Sequence, residues 1–134
     1  MTNKNVLINY TGRKGGGAVY SFEMAKSLTE NGCNVYAIVS KYVENIEKWR
    51  QLPLVQLVEI ETYTNFVSFI WKTIVFRLAG LRKLRKILQN KKIDVVYIPM
   101  IQPWSGFINS LFKNSKKIVT VHDPIPHSGA NRIL

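Results

Sequence analysis

The first group of residues able to do chemistry is Gly15-Gly16-Gly17, with Gly12 upstream and the bases Arg13 and Lys14 between. Residues without Cβ let backbone come close to a ligand, and where a helix starts its unpaired N–H groups point into that space. An anionic group suits such a loop. A plain glycine turn that lets helix and sheet pack closely suits it too, and the glycines alone do not choose. Spacing does exclude two nucleotide motifs. The pattern is not G-x-G-x-x-G and Ser40-Lys41 rather than an acid closes the next strand, which disfavours a nicotinamide cofactor. No Gly-Lys-Ser/Thr follows at P-loop spacing, so ATP hydrolysis loses its main support.

A second group closes the apolar run Lys117–Val121 with His122-Asp123 and continues to His127. The C-terminal end of a buried strand is where open α/β sheets meet ligands, which gives His122 a functional reading beside that of a hydrogen-bonded structural histidine. Asp123 can orient His122, bind a ligand, or start the turn before Pro124. His127 can touch a ligand or be an exposed loop histidine. His122, Asp123 and His127 have no recognised metal-ligand spacing, so no metal site is expected. Trp104, in the loop after the Asp94–Ile98 strand, can offer its ring to a ligand or lie buried under the next helix. Lys14 and Arg13 are candidate contacts to an anion, or solvated loop bases.

The elements that must hold these residues alternate. Val6–Tyr10, Asn34–Val39, Leu54–Ile60, Asp94–Ile98 and Lys117–Val121 read as strands; 18–30, 44–52, 66–89 and 106–112 read as helices. Strand-helix alternation implies one doubly wound parallel sheet of Rossmann-like α/β class. The 134 residues suffice for one domain, expected over 1–134 and, from its polar, unclosed C-terminal stretch, incomplete. The single Cys33 forms no internal disulfide, and no window is apolar enough to span a bilayer.

Charge is uneven. Of the net +11, residues 62–134 carry +10, and no acid stands between Glu61 and Asp94. The spacing predicts Val67, Ile70, Ile74, Leu78, Leu81 and Leu88 as the core stripe of the 66–89 helix. Phe69, Trp71 and Phe76 then exceed what one sheet face covers, while Arg82, Lys83, Arg85 and Lys86 follow. That combination predicts contact with an anionic membrane surface, although a further domain could cover the same groups. The aromatics follow helical spacing and no nucleic-acid module appears, so nucleic acid is not the expected partner.

Taken in order, Gly15-Gly16-Gly17-Ala18-Val19-Tyr20-Ser21-Phe22-Glu23-Met24-Ala25-Lys26-Ser27-Leu28, Asn31-Gly32, Asn34-Val35-Tyr36, Asp94-Val95-Val96 and Val119-Thr120-Val121-His122-Asp123 resemble the N-terminal half of family-4 glycosyltransferases of the GT-B fold. Residues 42–92 contribute nothing to the likeness. The resemblance implies transfer of a sugar from a nucleotide diphosphate donor to a glycan or lipid-linked acceptor, in the cytoplasm or on the inner face of the membrane, without bound metal or cofactor. It implies donor-diphosphate contacts from the glycines Gly15, Gly16 and Gly17 and a catalytic position for His122; by their place beside the cleft, Asp123 is a further catalytic candidate, Lys14 and Arg13 are candidates to meet acceptor or donor phosphate, and His127 and, by stacking on a sugar face, Trp104 are candidates to meet the acceptor. The family's C-terminal donor-binding domain, with its paired glutamates, has no counterpart in these residues. This chain alone is therefore expected to be inactive, either as part of a longer transferase or as a noncatalytic, membrane-recruiting or acceptor-binding subunit of a two-chain one.

Overall fold

The computed structural model describes residues 4–121. Its strands are β1 (Asn5–Tyr10), β2 (Asn34–Ser40), β3 (Gln56–Ile60), β4 (Val95–Ile98) and β5 (Lys116–Val119). They form one five-stranded sheet of order β3-β2-β1-β4-β5 in which every pairing is parallel. The helices are α1 (Gly16–Glu30), α2 (Ile46–Gln51), α3 (Phe66–Val75), α4 (Leu81–Leu88) and α5 (Ser105–Asn109). The doubly wound α/β class read from the alternation is the observed one.

Side-chain alternation along β1 builds both layers. Val6, Ile8 and Tyr10 pack with Ala18, Phe22 and Ala25 of α1 and Trp49 of α2, while Leu7 joins Phe76, Leu84, Leu88 and Trp104 on the opposite face. Inward residues of α1 recur at helical spacing, and Gly32 ends it with φ +91°. There the Cys33 amide donates to Leu28 O at 3.0 Å. After β3 the chain returns to lay β4 against β1, so the strand order reverses between those two strands. In open α/β sheets such a switch point opens a crevice outside the C-terminal strand ends. The loops after β1 and β4 both lead into it.

The helical run after β3 departs from expectation in its phase. It starts at a capping box, in which Asn65 Oδ1 accepts from the Ser68 amide and Ser68 Oγ accepts from the Asn65 amide. Between α3 and α4, residues Phe76–Gly80 form a π turn, closed by the Leu81 amide donating to Phe76 O. One extra residue rotates all that follows by about 100° relative to a straight helix. Leu84 and Leu88 therefore share the inner face with Phe69 and Phe76, and Val67, Ile70, Ile74 and Leu78 of the expected core stripe face solvent. Phe76 lies flat on Trp104, centroids 4.2 Å apart, and Phe69 meets Tyr63 edge-on. Phe69 and Phe76 are thus core residues and leave the set of membrane-contact candidates, whereas Trp71, Arg82, Lys83, Arg85 and Lys86 remain exposed. No helix among the described residues is long and apolar enough to cross a membrane.

Candidate functional site

The glycines after β1 serve different ends. A Cβ on Gly12 would lie 2.6 Å from Cζ of Tyr10, whose buried ring folds back over that backbone, and one on Gly17 would lie 2.8 Å from both Tyr10 Oη and Met100 Sδ. Those two glycines are required by packing. Gly15 is required by conformation, since its φ of +88° is strained for any other residue. At Gly16 a Cβ would meet nothing within 4 Å. Packing thus accounts for Gly12 and Gly17 and conformation for Gly15, while Gly16 borders open space. Gly12→Ala is expected to destabilise the domain by about 1–3 kcal/mol, because the ring cannot move without disturbing the core, and urea denaturation measures it.

Helix α1 starts at Gly16, which directs its first amides into the crevice. The Ala18 amide turns back to Gly15 O at 3.1 Å, while the amides of Gly16 and Gly17 have no bonded acceptor among the described residues. The Gly15 amide donates to Oε2 of Glu44 at 2.5 Å. Glu44 is held there by its own amide, which donates to Arg13 O at 2.7 Å, and by Asn45 Nδ2, which donates to Ala18 O at 3.1 Å. A carboxylate thus rests at the positive pole of α1, the polarity the helix dipole favours. Burial, with the same charge added, pushes the Tyr10 hydroxyl above its ordinary pKa. Glu44 is absent from the sequence-based set because it falls in the stretch where no motif is visible. Strand order supplies the missing signal: β2 lies beside β1, so an acid just past β2 comes to the loop just past β1.

The remaining candidates are distributed as follows. Lys14 is exposed, and Arg13 Nη2 reaches Thr64 O at 3.4 Å, on the loop after β3. Trp104 is corrected: it is 0% exposed, stacked on Phe76, with Nε1 donating to Thr73 Oγ1 at 2.9 Å. Its indole holds α5 against α3 and presents no face to a sugar. Met100, from the same loop, is the residue that reaches the glycines, over Gly17. His122, Asp123 and His127 lie outside the described residues.

The profile of Glycosyltransferase Family 4 matches residues 14–134. Among solved structures, the C-terminal domain of a hydrogenase from Pyrococcus furiosus is similar with TM-score 0.64 and 13% identity, over 90% of this chain and 93% of that one. The glycotransferase of kitacinnamycin is similar with TM-score 0.63 and 13% identity, over 89% of this chain and 30% of that one. At such identity both likenesses speak to the fold alone. The chain thus spans 30% of the length of that glycotransferase. No curated protein sequence matches the chain. The profile match runs from Lys14 through Gly15, Gly16 and Gly17 to residue 134, in a sheet whose crevice opens at those glycines, and the chain belongs to Glycosyltransferase Family 4.

Proposed function

We propose that these residues form the acceptor-side domain of a glycosyltransferase that moves a sugar from a nucleotide diphosphate donor onto a glycan or lipid-linked acceptor. The observation that carries the reading is the pair of amides at Gly16 and Gly17 that have no acceptor among the described residues, beside a Gly15 amide that already binds a carboxylate. As the sugar leaves, negative charge grows on the diphosphate, and fixed N–H dipoles favour that charge more in the transition state than in the ground state. His122 and Asp123 take the catalytic positions next to the transferring sugar, and Lys14 and His127 serve the acceptor. No metal or cofactor is invoked. Transfer requires a donor-binding domain in addition to residues 1–134, whether joined to them or separate.

Glu44 is the residue a diphosphate must contend with, since its carboxylate holds one amide and repels a second anion. Glutamine keeps an oxygen able to accept from Gly15 and removes the charge. Glu44→Gln is therefore expected to tighten binding of inorganic pyrophosphate by about two- to fivefold at low ionic strength, measured by titration calorimetry. Weaker binding by that variant would mean the carboxylate holds the loop in its binding shape.

The transferase works on the cytoplasmic face of the membrane. Phe66, Val67, Ile70, Trp71 and Leu78 are exposed on one side of α3 and the π turn, and Arg82, Lys83, Arg85 and Lys86 are exposed along α4. Apolar groups enter the headgroup boundary while bases attract anionic lipid, each near-surface base contributing about 1 kcal/mol. The chain is expected to float with phosphatidylserine-containing liposomes at low salt. Flotation should be lost at high salt and when the four bases of α4 are neutralised together; no flotation at low salt refutes the contact.

A further inference from the structure

We propose that the groove between β3 and the α3–α4 run is a built site for one hydrocarbon chain of an amphiphile with a phosphate head. The groove encloses about 530 Å³, within the range of small-molecule sites, and its walls are Val58 and Ile60 of β3, Trp71 and Val75 of α3, and Leu84 and Ile87 of α4. Among the described residues β3 is an edge strand, paired with β2 alone. The π turn forms the middle of the helical wall through Phe76, Ala79 and Gly80, and Phe76 is held in place by its stacking on Trp104. A Cβ on Gly80 would strike Phe76, so this shape depends on the glycine. π turns recur at functional sites because they redirect side chains without breaking a helix.

Charge on the rim selects the head. Glu59 is engaged by Arg50 at 2.8 Å, and Glu61 by Lys72 at 2.8 Å and Lys41 at 3.4 Å, which with the Tyr42 hydroxyl hold its carboxyl down to about 2. The acids are therefore spoken for. Lys83 lines the groove, is exposed, and has no ion-pair partner among the described residues. Arg82, Arg85 and Lys86 stand beside it in a segment without acids. An apolar trough with an unneutralised cation at its rim takes a long-chain phosphate ester rather than a neutral amphiphile. The exposed face of α3 adjoins the groove through Trp71, so a chain drawn from an anionic leaflet enters without crossing water. The proposal rests on the membrane-facing reading of α3, and its test separates the two.

Trp71 supplies the readout. It is 66% exposed and lines the groove, whereas Trp49 and Trp104 are 0% exposed, so a chain entering the groove shifts indole emission to the blue through Trp71 alone. The intact chain is titrated with dodecyl phosphate below its micelle concentration, with inorganic phosphate and dodecyl maltoside in parallel. Expected is a saturable blue shift with dodecyl phosphate, none with inorganic phosphate, and about tenfold weaker binding of dodecyl maltoside. Lys83→Glu should weaken dodecyl phosphate about tenfold, and Ala79→Phe, which fills the trough from an exposed position, should abolish the shift with unaltered circular dichroism. Equal affinity for the two dodecyl compounds, or indifference to Lys83→Glu, overturns the phosphate head. A shift seen only on vesicles and retained by Ala79→Phe overturns the groove and leaves the membrane contact of α3 standing.

Discussion

Replacing Trp104 by alanine is expected to destabilise the domain by about 3–5 kcal/mol and to leave ligand affinity of the folded protein unchanged. The indole is 0% exposed and stacks on Phe76 with planes 4° apart, while Tyr63 meets it edge-on at 5.3 Å. Its removal leaves a cavity bounded by rings on several elements, and rigid rings do not collapse into a gap as aliphatic side chains do. The Thr73 hydroxyl also loses its partner. Trp104→Phe should lose less, because the stacked face survives and only the outer ring and the hydrogen bond go. Urea denaturation monitored by circular dichroism gives the stability, and pyrophosphate titration under fully native conditions gives the affinity. A loss below about 1 kcal/mol accompanied by weaker acceptor binding would restore Trp104 to the sugar platform.

The sheet and its helix order are legible in the sequence because each strand is a compact apolar run and each helix repeats its apolar residues at a fixed period. The inner face of the helical run after β3 is not legible, since its phase depends on the π turn, and nothing in Phe76-Arg77-Leu78-Ala79-Gly80 announces the extra residue except the glycine that gives Phe76 room. Periodicity read through that point assigns Ile70, Ile74 and Leu78 to the wrong side. At the glycine loop the sequence supplies the loop and its place at a helix start. It cannot divide the glycines among packing, conformation and open space, because that division depends on where Tyr10 and Met100 put their side chains. Glu44 escapes for the same kind of reason: its proximity to Gly15 comes from β1 and β2 lying side by side, across 29 positions of chain.

Gly16→Val should leave stability nearly unchanged and remove the anion contact, which makes it the sharpest test of the loop. The position opens a helix and has nothing within 4 Å of an added Cβ, so valine fits the folded chain, and helix propensity favours it slightly over glycine. The melting temperature is therefore expected to stay level or rise slightly. The same branched side chain stands over the amides of Gly16 and Gly17, where a phosphate oxygen would have to approach within hydrogen-bonding distance. Pyrophosphate affinity should fall by at least about tenfold, and in any form of the protein that transfers sugar the rate should fall about 100-fold, the scale seen when one fixed donor to a developing charge is lost. Gly16→Ala, with less bulk, should fall between the two. Gly12→Ala provides the opposite pattern, impaired stability with an amide pair that stays open, because its clash lies with Tyr10 on the inner side of the loop. If Gly16→Val binds pyrophosphate and transfers sugar as the parent does, the glycine loop is a packing device alone and the diphosphate must be held elsewhere.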